Sequence, residues 1–159
     1  MKSSITPMLW FNENAEEAAK FYVSIFPNSK IFGKSYYPKG TPGPEGSVMT
    51  VEFQMNGQRF TALNGGPIFK FTEAVSFVVH CKTQKEIDYY WKKLTAKGGM
   101  EIECGWLKDR FGLSWQIVYE GQLKMLLGKD KKKTERIMQV VMKMKKPDIA
   151  SLKKAYHSK

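Results

Sequence analysis

A chain of 159 residues with 42% apolar content is long enough for one domain with a real hydrophobic core, and needs no disulfide or metal staple. Two cysteines, Cys81 and Cys104, with no signal peptide and no apolar run of membrane length, point to a reduced, cytoplasmic protein without a membrane partner. The net charge of +11 would suit a nucleic-acid binder, yet residues 128–159 hold 11 of the 26 basic and only 3 of the 15 acidic residues. Those lysines, among them Lys131–Lys133, Lys145-Lys146 and Lys153-Lys154, have few aromatics near them and no nucleic-acid motif, so a solvated helix face is expected and nucleic acid is not.

In chain order, Ile5–Phe11 is a short apolar run read as a strand. Asn14-x-x-Glu17 then has the spacing of a capping box, and Ala18, Phe21, Tyr22 and Ile25 follow at helical spacing until Pro27-Asn28 stops the helix. Three strands are predicted next, Lys30–Tyr37, Ser47–Met55 and Gln58–Asn64, with Asn56-Gly57 as a two-residue hairpin turn. Between the first two, Pro38–Gly46 is a loop rich in glycine and proline. The same grammar returns 69 residues on, counting from Asn14 to Thr83. Val75–Cys81 is a strand, Thr83-x-x-Glu86 a second capping box, and Ile87, Tyr90, Trp91 and Leu94 a second stripe, closed by Gly98-Gly99. Strands Met100–Leu107 and Leu113–Glu120 follow, with a further pairing near Trp106–Lys108 and a tight turn over Asp109–Gly112. Each cysteine then falls within or at the end of a strand, as an inert buried thiol.

The expectation is α+β: two βαβββ modules, about 5–66 and 73–127, forming a curved mixed sheet. Residues 128–159 form a basic helical tail that packs on the domain or on a dimer partner. In that tail Lys131–Lys145 carries Ile137, Met138, Val141, Met142 and Met144 on one side, and Asp148 caps a last helix that docks through Ile149, Leu152 and Tyr156.

Strand alternation gives each strand one apolar face and one mixed face. The mixed faces offer Ser114, Gln116 and Val118, then Ser76, Val78 and His80, then Thr50, Glu52 and Gln54. Isolated polar groups among apolar neighbours are what a small-molecule cavity shows. Gln116, Ser76, Asn64, Gln54, Phe11 and Ser114 are the candidate ligand-binding residues, and His80 and Glu52 the candidate acid or base groups.

Several strings carry a family resemblance. They are Leu9-Trp10-Phe11, the run Ala15–Tyr22 (AEEAAKFY), Ile25–Ser29, Ala62–Pro67 (ALNGGP), Cys104–Val118 (CGWLKDRFGLSWQIV) and the tail segment Met142–Ala155. Together they resemble the PhnB-like, or 3-demethylubiquinone-9 3-methyltransferase, group of the vicinal-oxygen-chelate superfamily, which also holds glyoxalases, bleomycin-resistance proteins and extradiol dioxygenases. The resemblance implies the glyoxalase/bleomycin-resistance/dioxygenase fold and a homodimer. It also implies four metal-ligand positions, matched here by Pro7, Ala62 or a neighbour, Ser76 and Gln116.

Only one of those four, Gln116, offers a useful oxygen, so no metal ligand is assigned and no cofactor is expected; a divalent metal is disfavoured. The family name implies methyl transfer, but Gly65-Gly66 runs into Pro67 and Gly98-Gly99 closes a helix, unlike the glycine turn of an S-adenosylmethionine site. The leading expectation is a small-molecule-binding protein or enzyme of this fold without the usual metal ligands. The alternatives are a methyltransferase, and a binding protein that sequesters a drug or metabolite without catalysis.

Overall fold

The computed structural model describes residues 5–128 and 130–158; Lys129 and Lys159 of the tail lie outside them. The chain divides into two compact units, one ending at Lys70 and the other starting at Phe71.

The first unit contains β1 (Met8–Phe11), α1 (Ala15–Ile25), β2 (Lys30–Tyr36), β3 (Val48–Met55) and β4 (Gln58–Asn64). Its four-stranded sheet has the order β1-β4-β3-β2, with β1 parallel to β4 and the other pairs antiparallel. Asn56 and Gly57 both take positive φ, which a two-residue turn of matching twist demands. Small residues at Ala15, Ala18 and Ala19 let α1 lie close on the sheet, and Tyr22 stacks on Phe53, which stacks in turn on Phe60.

The start of α1 differs from expectation. Asn14 occupies the N-cap but its side chain caps nothing. Instead Asn64, at the end of β4, accepts the Ala15 N–H through Oδ1 at 2.8 Å and donates Nδ2 to the Val48 carbonyl at 2.9 Å. A long-range amide thus takes the place of the local box.

The second unit repeats the order. It has β5 (Ser76–Cys81), α2 (Gln84–Leu94), β6 (Met100–Glu101), β7 (Trp106–Lys108) and β8 (Ser114–Tyr119) in a sheet ordered β5-β8-β7-β6, again with the first pair parallel. Here the capping box forms as expected, Thr83 accepting from Glu86 N–H while the Glu86 carboxylate accepts from Thr83 N–H at 2.9 Å.

The strand expected over Met100–Leu107 is broken. Glu103–Gly105 form a single 3-10 turn in which Cys104 takes φ 62°, and the amides of Cys104 and Gly105 donate to the carbonyls of Met144 and Lys145. Backbone bonds to the tail take the place of strand pairing there. Cys104 is therefore a half-buried turn residue, whereas Cys81 is fully buried and burial pushes its thiol up to about 12.

The tail holds three helices, α3 (Glu120–Leu126), α4 (Lys131–Val141) and α5 (Ile149–His157). The first was not foreseen, and α4 ends four residues early. Ile137, Val141 and Leu152 form a small core against which Cys104, Tyr119, Leu126, Met144 and Tyr156 pack, while Met138 and Met142 stay exposed. Asp148 caps α5 by accepting Ser151 N–H at 2.7 Å. No helix among the described residues is long and apolar enough to cross a membrane.

Candidate ligand-binding site

Pairing register decides which side chains share a face. In the second unit Ser76 lies opposite Ser114, Val78 opposite Gln116 and His80 opposite Val118, while Gln116 also faces Trp106 and Ser114 faces Lys108. The alternate residues Trp115, Ile117, Leu107 and Cys81 are buried. The face away from that layer is thus a compact row, with Ser76 and Gln116 half-buried and Ser114 fully buried, flanked by Trp106 and Lys108.

Within this row Gln116 Nε2 donates to Ser76 Oγ at 2.8 Å. Ser114 is 0% exposed and its hydroxyl has no hydrogen-bond partner among the described residues. A buried, unsatisfied hydroxyl carries a desolvation cost and marks a position where a polar partner belongs. Lys108 is ion-paired to Glu73, whose carboxyl is held below its ordinary range by that lysine. His80 stands exposed at the end of β5, beyond the row.

The row is carried by the turn before it. Asp109, only 3% exposed, accepts from the N–H groups of Phe111 and Leu113 through Oδ1 and from Trp115 Nε1 through Oδ2, at 2.9–3.1 Å. The carboxylate therefore fixes both the turn and the indole behind β8. Trp106, Lys108 and Glu73 were missed from sequence; the signal for the first two was the alternation of β7 against Gln116.

In the first unit, Leu9, Phe11, Val51, Phe53, Phe60 and Ala62 form the buried layer under α1. Phe11, 3% exposed, belongs to that layer and not to the open face. Ala62 does too, so the open-face neighbour is Thr61, whose hydroxyl donates to half-buried Glu52 at 2.8 Å. Gln54 sits at the far end of β3 and donates to the backbone and side chain of Asn28. Asn64, on the helix side, borders a cavity of about 500 Å³ whose lining also includes Tyr37, Val48 and Glu16. The two units are thus unequal: the second gathers Ser76, Ser114 and Gln116, and the first scatters Glu52, Gln54, Phe11 and Asn64.

Residues 3–118 match the family described as 3-demethylubiquinone-9 3-methyltransferase. The chain belongs to that family. Among solved structures it is similar to the PhnB protein of Bacillus cereus, at 37% identity and TM-score 0.66 over 74% of this chain and 99% of that one. Protein PA1353 of Pseudomonas aeruginosa shares the fold at 19% identity and TM-score 0.61, over 75% of this chain and 98% of that one. So does the fosfomycin resistance protein FosX of Listeria monocytogenes, at 14% identity and TM-score 0.53 over 74% and 92%, in a mutant complexed with manganese(II) and a dihydroxypropylphosphonic acid. No curated protein matches the chain. Family and neighbours place the fold in the vicinal-oxygen-chelate superfamily.

The groups that this family and fold imply can be tested against the donors present. A divalent metal wants imidazole or carboxylate ligands. The second unit's row offers hydroxyl and amide oxygens, the first unit's open face offers one carboxylate bonded to Thr61, and no metal-holding group of three or more His, Cys, Asp or Glu occurs among the described residues. These donors do not fit a divalent cation. Nor does the glycine pair suit a methyl donor. A Cβ on Gly65 would lie 2.3 Å from the Trp10 ring, so that glycine makes room for an indole whose Nε1 donates to the Gly66 carbonyl at 2.9 Å.

Proposed function

We propose that this member of the family is a small-molecule-binding protein whose ligand lies on the open face of the second sheet, held by neutral hydrogen-bonding side chains without a divalent metal or S-adenosylmethionine. The observation that carries the reading is the Ser76–Gln116 hydrogen bond beside the buried, unpartnered hydroxyl of Ser114. A ligand with carbonyl or hydroxyl groups completes that row, with Trp106 as an apolar wall. The row has no free imidazole or carboxylate for proton transfer, which favours binding or sequestration over catalysis. The protein works as a cytoplasmic homodimer.

The test is a thermal-shift and calorimetric screen of metabolites with and without manganese, magnesium or a chelator. Ligands should bind equally in chelator, and Gln116→Ala should weaken them about tenfold or more. Ser114→Ala should also weaken binding, yet leave the ligand-free protein as stable or up to about 1 kcal/mol more so, because an unsatisfied hydroxyl is removed. A large stabilisation by metal alone, or binding abolished by the chelator, would overturn the reading.

A further inference from the structure

The cavity of the first unit has a construction of its own. Every described residue lining it falls between Asn12 and Pro67, and Ser76, Ser114 and Gln116 are not among them. Its volume of about 500 Å³ lies within the range of small-molecule sites.

Its walls are preformed. The loop between β2 and β3 is closed by backbone bonds from Tyr37 to Ser47 at 2.9 Å and from Gly46 back to Tyr37 at 2.9 Å. Tyr37 hydroxyl donates to the Asn64 carbonyl, pinning the loop to the end of β4. Gly43 lies flat on the Tyr37 ring, where a Cβ would come within 2.3 Å. Tyr37, Pro42, Pro44 and Val48 then give an apolar interior.

Charge selects the occupant. Among the described residues its lining has two carboxylates, Glu13 and Glu16, and no Lys, Arg or His. Both polar atoms of the Asn64 side chain are used within the protein. Glu16 is anchored from outside the cavity by Lys20 at 2.6 Å and Lys34 at 2.7 Å, and their hydrogen bonds hold its carboxyl at about 2. Glu13 is exposed, and no ion pair to it occurs among the described residues. What the cavity offers a guest is therefore an apolar interior with an uncommitted carboxylate at its edge.

We infer that this cavity is a second binding site, for a small organic cation that places an apolar body against Tyr37, Pro42, Pro44 and Val48 and its ammonium group at Glu13. Nothing in the inference depends on the ligand proposed for the second unit.

The experiment is calorimetric titration of the full chain with benzyltrimethylammonium, with benzyl alcohol and benzoate as neutral and anionic counterparts. The ammonium should bind, the alcohol and benzoate at least about tenfold more weakly. Glu13→Gln, a change at an exposed side chain, should cost about tenfold, and Val48→Trp should abolish binding by filling the interior. Gln116→Ala should leave the ammonium affinity unchanged, which separates this site from the row of the second unit. No saturable binding below about 1 mM, equal binding of the alcohol, or an unchanged affinity in Glu13→Gln would each overturn the inference.

Discussion

In the first unit, the leading amide of α1 is capped by Asn64, 49 residues away on β4. In the second, Thr83 and Glu86 cap α2 within a single turn. The two solutions free different parts of the repeated fold. Where the end of β4 is tied to the helix and to the Val48 carbonyl, it frames a cavity on the helix side. Where the helix caps itself, β8 has no such duty, and its open face carries the polar row of Ser114 and Gln116. The duplicated architecture thus presents two different surfaces, and capping chemistry is where they part.

The second unit rests most heavily on one side chain. Asp109→Ala removes the carboxylate that accepts from the Phe111 and Leu113 N–H groups and from Trp115 Nε1, in a turn whose Leu113 and Trp115 are buried. A loss of about 3–4 kcal/mol is expected, read by urea denaturation. Asp109→Asn, which keeps one acceptor, should cost less. A loss under about 1 kcal/mol for the alanine variant would mean that the turn does not hold β8 in place.

The same contrast sets what the sequence could disclose. The Thr83–Glu86 box was legible because both partners sit in one turn, and so was the Asn56-Gly57 hairpin. Asn64 as a cap was not, because nothing local links it to Ala15. The 69-residue repeat aligns the two helices correctly but misleads about the strands. Three residues separate Phe11 from α1, whereas two separate Cys81 from α2. A constant offset therefore lays buried Leu9 on Val78, which is 44% exposed. Phe11, offered as a ligand-binding residue, lies 3% exposed in the layer under α1, and of the family position matched by Ala62 or a neighbour, Ala62 is on that buried side while Thr61 is on the opposite face. In the second unit, alternation along β5 and β8 brought Ser76, Ser114 and Gln116 together without help. The break at Cys104 was invisible because a positive φ at a non-glycine residue is imposed by the tail's carbonyls, not by local propensity.

The capping contrast can itself be broken. Asn64→Ala strips a long-range cap and a bond to Val48, so it should cost about 2 kcal/mol and also loosen the wall of the cavity. Thr83→Ala removes a local cap only, and should cost about 1 kcal/mol while leaving the first unit's cavity, whose described lining does not include it, as it is. The measurement is denaturation of both variants alongside ammonium titration. Equal costs, with ammonium affinity intact in both, would show that Asn64 is merely another cap.

Acid should separate the units by the smallest margin. Both helices begin with a carboxylate held below its ordinary range. Glu16 is held by the Lys20 and Lys34 side chains, while Glu86 is held first by the backbone amides of Lys82 and Thr83. A depressed pKa in the folded state means that the stabilisation is complete above the unfolded value and drains away as pH falls. For Glu16 that window runs from 4.5 down to about 2. The stability gap between wild type and Glu16→Gln should therefore narrow across that window. It should also shrink when salt is raised from about 0.05 M to about 1 M, because its partners are ammonium groups at the surface. The gap for Glu86→Gln should narrow with acid in the same direction but respond little to salt, since hydrogen bonds to backbone amides are not screened as mobile charges are. Urea titrations of both variants at several pH values and both salt levels decide it. A Glu16 gap indifferent to salt would mean that the lysines do not hold it, and would take away the anchor that fixes one carboxylate of the cavity.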